Sequence, residues 1–212
     1  MRRILRLALY LVAVLPLGSL VLMALAAYRA FARVQKADPE WKPAFRVLAW
    51  ARAWCLLYRV PWDFALSILH NEQASTPRTI LPRESRLFPE GAPAEIYPLG
   101  DVSIFKGPSV GPGQVLRVNV ETLWEQVKPP LRAAVVAGSY LDLARVGFER
   151  QSTWAAVRIM RESLDAAGPR PGDETGGADL NEAARIYNGG RNYNSNAVAY
   201  ANAADTFRGK LA

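Results

Sequence analysis

From Leu7 to Tyr28 the chain reads LALYLVAVLPLGSLVLMALAAY and carries no charged residue. A helix over this run is about 33 Å long at 1.5 Å per residue, enough for the roughly 30 Å hydrocarbon core of a bilayer. A helix of a soluble core seldom stays uncharged for so long, because its outer face meets water. Arg2, Arg3 and Arg6 precede the run and favour a cytoplasmic N-terminus, whereas Arg29, Arg33 and Lys36 follow it and weaken the positive-inside bias. A cleaved signal peptide is the competing reading, since Ala24-Leu25-Ala26 has the small-x-small form a signal peptidase accepts. The run is longer than the roughly 7–15 apolar residues usual in such a leader. Both readings export the rest of the chain. Residues 1–36 are therefore expected to form an N-terminal membrane anchor, a single transmembrane helix or signal peptide, with residues 37–212 as one domain outside the cytoplasmic membrane.

A domain of that size needs only one core. Hydrophobic residues are 50% of the chain and charged ones 21%, which excludes a disordered chain and a polytopic membrane protein. The net charge of +7 suits a polyanion, whether nucleic acid, anionic lipid headgroups or an acidic cell-wall polymer. No helix-turn-helix spacing, RNP motif or aromatic-basic strand pattern is visible, so nucleic acid is not expected. Cys55 is the sole cysteine, which removes an intramolecular disulfide, a thiolate zinc site and a CxxC redox centre. His70 is the sole histidine, which removes multi-histidine metal sites and leaves Ser-His-Asp chemistry only that residue. Carboxylates remain as candidate catalysts, and neither metal nor cofactor is expected.

The pattern after the leader is mostly α. Phe45, Leu48, Ala49, Trp50, Ala53, Trp54 and Leu57 recur at helical spacing after Pro43. Val60-Pro61-Trp62-Asp63 opens a second helix, with proline near its first turn and an acid against the positive end of the dipole, running as FALSILHNE to about Glu72. Between Ser75 and Gly113 the chain is rich in Pro and Gly, a long loop or small hairpin with short strands at Glu95-Ile96-Tyr97 and Val102-Ser103-Ile104. Helical patterns resume at Val120–Val127, Leu131–Phe148 and Thr153–Ala167. GPRPGDETGG from Gly168 to Gly177 is a surface loop, and two last helices follow, Asp179–Tyr187 and Ser195–Phe207, joined by Asn188-Gly189-Gly190.

Three separated elements carry candidate chemistry. VPWDFALSILHNEQAS is an apolar helix that delivers Glu72 at its end, where burial and the negative helix terminus both favour the protonated carboxyl a general acid needs. GPSVGPGQV, from Gly107 to Val115, has glycines that permit close backbone approach and Gln114, whose amide can meet a sugar hydroxyl or the acid. ARIYNGG, from Ala184 to Gly190, ends a helix with Asn and Gly in C-cap positions. Each taken alone is also an ordinary feature: a helix-end glutamate in water, a turn, a capped amphipathic helix.

In their order these elements resemble the soluble lytic transglycosylases and goose-type lysozymes: a valine-proline, apolar helix, glutamate element; a G-x-x-Q loop; and an alanine-rich YN-x-G element. The resemblance runs over roughly Val60 to Phe207. It implies a lysozyme-like domain that cleaves peptidoglycan between N-acetylmuramic acid and N-acetylglucosamine. Glu72 would be the single acid/base, Gln114 would line the sugar cleft, Tyr187 would help orient the glutamate, and Asn188 and Gly189 would shape the cleft floor. The chain departs from that pattern at Gln73, where many relatives have serine, and in the length of the stretch from Glu72 to Gly111. Glu84-Ser85 is a literal Glu-Ser pair in that stretch, which makes Glu84 the rival acid, although it follows LPR and not an apolar helix. Asp101 is available as a second carboxylate if the bond is hydrolysed. The implied partners are peptidoglycan strands and, through the anchor, the cytoplasmic membrane. The alternative from another class is a catalytically silent wall-binding or scaffold protein of a membrane-spanning apparatus.

Overall fold

The computed structural model describes residues 16–75, 109–169, 177–189 and 194–212. These form α1 (Pro16–Ala37), α2 (Phe45–Tyr58), α3 (Trp62–Ser75), α4 (Arg117–Gln126), α5 (Arg132–Val135), a 3₁₀ turn (Tyr140–Ala144), α6 (Glu149–Ala167), α7 (Leu180–Gly189) and α8 (Ser195–Leu211). No strand occurs among the described residues, only isolated antiparallel bridges between Val110 and Val115 and between Pro169 and Ala178. The domain is mostly α. The short strands expected at 95–97 and 102–104, together with Glu84 and Asp101, lie outside the described residues.

α3 is buried on every side over its middle: Phe64, Ala65, Leu66, Ser67, Ile68 and Leu69 are all in the core. A helix apolar all round can persist in water only as an interior element. Ser67 is tolerated there because its hydroxyl donates to the Phe64 carbonyl at 2.8 Å. α6 buries one long face and packs it on α2, α4, α5 and α7. Its Trp154 fills the centre and donates to the Tyr58 hydroxyl at 2.9 Å, while Ala155 and Ala156 beside it let neighbouring backbone come close. α7 and α8 form a hairpin that closes over α6 and α3. The Asn194 side chain caps α8 by accepting from the Ala197 amide at 2.8 Å.

The run Leu131–Phe148, expected as one helix, is not one. α5 ends at Val135, and the chain turns through Gly138 into a 3₁₀ turn started by a Ser139–Asp142 capping box. Gly147 then takes a φ of 103°, a left-handed value that side-chain-bearing residues avoid. Apolar periodicity alone does not register these local bonds. At the other end of the chain, α7 and α8 are longer than expected, so Asn188 and Gly189 belong to the last turn of α7 and are not a connector.

Ala27, Ala30 and Val34 of α1 are buried in the same core as α2, and Arg33 ties α1 to Asp63 at 3.1 Å and to the Leu211 carbonyl at 2.5 Å. Among the described residues no helix is long and apolar enough to cross a membrane. Residues 7–15 of the uncharged run lie outside them. Removal of the Trp154 side chain empties the centre of this packing, so Trp154→Ala is expected to cost about 3–5 kcal/mol in urea unfolding. Leu56→Ala, at an exposed position, is expected to change stability by less than about 0.5 kcal/mol.

Candidate active-site cleft

Glu72 follows Phe64 and Ile68 at intervals of four, so it continues the face that α3 buries. Three consecutive residues fix this end of the helix. The Asn71 amide donates to the Tyr200 carbonyl at 2.9 Å, the Tyr200 hydroxyl donates to Glu72 Oε1 at 2.7 Å, and Gln73 accepts from the Trp41 indole at 3.0 Å while reaching the Pro112 carbonyl at 3.5 Å. Gln73, the departure from the family pattern, thus joins the glutamate helix to the glycine-rich loop.

That loop is a tight turn, closed by paired backbone bonds between Val110 and Val115 of 3.0 and 2.9 Å. Its glycines are there for space and for backbone angle. Gly111 has φ of 74°, and a Cβ on Gly113 would lie 2.4 Å from Ala156 Cβ and 3.1 Å from the Tyr187 hydroxyl. Gln114, itself at φ of 46°, donates through its amide to the Gly111 carbonyl and accepts from the Ser109 hydroxyl, both at 2.9 Å. The Tyr187 hydroxyl donates to the Gly113 carbonyl at 2.7 Å and so pins the loop to α7. The part that the resemblance implied for Tyr187, a hand on the glutamate, is geometrically filled by Tyr200. Nothing in the local pattern around Tyr200 marks it, since it lies 128 positions away in an alanine-rich helix. The alanine stripe Ala197, Ala201, Ala204, buried beside it, is the one signal in the sequence that this helix packs closely.

Glu72, Gln114, Tyr187 and Asn188 line one cavity of about 170 Å³, together with Asn119 and Ile159. A second cavity of about 510 Å³ shares Leu116, Asn119, Ile159, Tyr187 and Asn188 as wall and extends past Gln126, Glu162 and Gly189. The two form one groove with the carboxyl at its end. The polar groups along it are mainly amides and hydroxyls: Asn119, Thr122, Gln126, Ser163 and Asn188. Glu162, the other carboxylate on its wall, is half exposed and pairs with Arg158 at 3.4 Å. Among the described residues no three His, Cys, Asp or Glu side chains gather into a set that could hold a metal.

Glu72 opens to the cleft on one side and is enclosed by protein on the others. Burial pushes its carboxyl up to about 7, against a smaller opposite pull from the Tyr200 hydrogen bond, which favours the ionised form. Tyr187 and Tyr200 are both pushed well above the usual phenol range, by burial first and by the nearby Glu72 next, so both remain hydroxyl donors. The site therefore holds a carboxyl poised between its two protonation states near neutrality.

This poise has a cost to stability with a definite sign. Below the ordinary carboxyl value of 4.5 the group is protonated in both folded and unfolded chains, and no penalty arises. As pH rises towards 7 the unfolded chain ionises while the folded chain does not, and stability falls, by about 3 kcal/mol in total. Glu72→Gln is therefore expected to match the wild type near about pH 4 and to exceed it by up to about 3 kcal/mol at about pH 8, read from urea unfolding across pH. In a Tyr200→Phe background the carboxyl loses the bond that favours its charge, and the wild-type decline is expected to continue to higher pH.

Comparison of the chain with family models, with curated proteins and with solved structures yields no match, so the geometry of the groove is what carries a functional reading.

Proposed function

We propose that the protein is a membrane-anchored lytic transglycosylase with a lysozyme-like domain, acting on peptidoglycan outside the cytoplasmic membrane. The observation that carries this reading is the position of Glu72. It is a carboxyl raised to about 7 by burial, held by Tyr200, at the end of a groove it shares with Gln114 and Tyr187. Those three residues come from the three separated motifs that resemble the family. In this reading Glu72, protonated, gives its proton to the glycosidic oxygen between N-acetylmuramic acid and N-acetylglucosamine as that bond breaks. The resulting carboxylate then takes the proton of the muramic C6 hydroxyl, whose oxygen closes on C1 to form the 1,6-anhydro ring. Glu72 ends as it began, and no water is consumed.

One group performing both proton transfers needs a value near the working pH, since it must give and accept with comparable ease. Burial supplies the upward push and the Tyr200 hydroxyl limits it. The amide and hydroxyl wall of the groove suits an uncharged acetamido sugar, each amide offering both donor and acceptor. Gln114, held by Ser109 and Gly111, presents a fixed surface at the reacting end. The uncharged run Leu7–Tyr28 would tether the domain, and the net positive charge favours an acidic wall polymer or anionic lipid over a neutral surface.

Incubation of purified peptidoglycan with the protein, followed by mass spectrometry of the released muropeptides, tests the proposal. Anhydro-muramic ends are expected from the wild type, and Glu72→Gln is expected to lower their release by at least about 10²–10⁴-fold with the fold retained. Gln114→Ala should reduce release less, since it disturbs position and not proton transfer. Reducing ends in place of anhydro ends would make the protein a hydrolase. No products at all from the wild type would favour the wall-binding scaffold, and an active Glu72→Gln with an inactive Glu84→Gln would move the acid to Glu84.

A further inference from the structure

Trp41 lies in the connector between α1 and α2 and is buried, with 7% of its surface exposed. It is held from several sides. The Gln35 amide donates to its carbonyl at 2.6 Å, its backbone N–H donates to Asp38 Oδ1 at 3.3 Å, and Asp38 Oδ2 stands 2.8 Å from His70 Nε2. Its ring meets His70 edge-on at 5.1 Å and Phe207 at 5.6 Å, and the rings of His70 and Phe207 stack at 3.8 Å. A side chain so enclosed aims its one polar group, the indole N–H, in a single direction. That group donates to Gln73 Oε1 at 3.0 Å.

An indole N–H can only donate, and a backbone carbonyl can only accept. Gln73 lies between one of each, with Oε1 on Trp41 and Nε2 directed at the Pro112 carbonyl at 3.5 Å. An amide can be turned over with little change of shape, so its orientation is set by its neighbours. Turned over, its oxygen would oppose the Pro112 carbonyl oxygen, and its NH₂ would oppose the indole N–H. Trp41 therefore holds the amide in the orientation that can donate to the loop.

On the loop, three successive carbonyls each take a side-chain donor. Gln114 donates to Gly111 at 2.9 Å, Gln73 to Pro112 at 3.5 Å and Tyr187 to Gly113 at 2.7 Å. The first bond is internal to the loop and the third comes from α7. The middle one comes from α3, at the residue after Glu72, and is the longest of the three.

We propose that Trp41 is a positioning residue of the cleft, which through the Gln73 amide sets the spacing between Glu72 and the loop that carries Gln114. The proposal rests on the transglycosylase reading above for the reaction which that spacing serves. A sugar lying between Glu72 and Gln114 reacts well only at the right distance from the acid, and a misplacement of about 1 Å can cost about 10²-fold in rate.

The test uses Trp41→Phe, which removes the indole N–H and keeps a ring against His70 and Phe207, and Gln73→Leu, which removes the amide, singly and together in the full chain. Backbone amide NMR signals of Gly113 and Gln114 are expected to move in each single variant and no further in the double one, because both changes break the same bridge. Release of anhydro muropeptides is expected to fall about 10–10²-fold in either single variant, chiefly in kcat, and by no more in the double. In Gln73→Leu the Trp41 indole proton signal is expected to move upfield as its acceptor is lost, which tests the bridge without altering Trp41, should Trp41→Phe fail to fold. An unmoved indole signal, loop signals that stay in place in Gln73→Leu, full activity of the single variants, or losses that multiply in the double variant would each overturn the proposal. Signals that move as expected while the wild type releases no muropeptides would keep the bridge and overturn the transglycosylase reading.

Discussion

A carboxyl group at the end of a helix whose middle is buried on every side is the constraint around which the rest of the domain is arranged. α3 places Glu72 one turn beyond Ile68 and two beyond Phe64, and the burial that stabilises those side chains raises the carboxyl towards 7. A fully enclosed carboxyl would rise further and be useless for exchange with a substrate. Here the cleft opens one side, and the Tyr200 hydroxyl offers the charged form a hydrogen bond. Burial raises the carboxyl and the Tyr200 hydrogen bond pulls it back down. That bond needs α8 to be held at hydrogen-bond distance from α3, which the Asn71 amide on the Tyr200 carbonyl ensures.

The loop opposite Glu72 is fixed by contact instead of by charge. Gly113 has no room for a side chain, because Ala156 on the buried face of α6 and the hydroxyl of Tyr187 stand against it. The loop therefore rests directly on the core, and its Gln114 side chain is bonded to the loop's own Ser109 and Gly111. Gln73 reaches the same loop at Pro112. The glutamate helix and α7 thus both reach the glycine loop, through Gln73 at 3.5 Å and through Tyr187 at 2.7 Å. Prearranged polar groups of this kind need little reorganisation when a ligand arrives.

Much of this arrangement is legible in the order of the residues alone. The unbroken apolar middle of α3 reads as an interior helix, and Pro61 with Asp63 marks its start. The spacing of apolar residues after Pro43 foretells α2, whereas the grouping of Glu72, Gln114, Tyr187 and Asn188 on one groove is implied only by the resemblance of the three motifs to a known family. Two things are hidden for physical reasons. The segment 131–148 has apolar residues at helical intervals, but Gly138, the Ser139–Asp142 box and Gly147 redirect the backbone through local bonds that periodicity does not weigh. Tyr200 owes its place beside Glu72 to tertiary packing of a small-residue helix, and a contact across 128 positions leaves no trace in local spacing. Tyr187, assigned to the glutamate by resemblance, is bonded instead to the loop at Gly113.

If the fold holds the Glu72 carboxyl protonated close to neutrality at the end of an accessible cleft, its titration must show it. Carbon-detected NMR titration of glutamate side-chain carboxyls, with the Glu72 signal assigned by its loss in Glu72→Gln, measures this without recourse to any substrate. A midpoint near pH 7 is expected. A midpoint near the ordinary value of 4.5 would contradict it, because the carboxyl would then be ionised and unable to act as an acid.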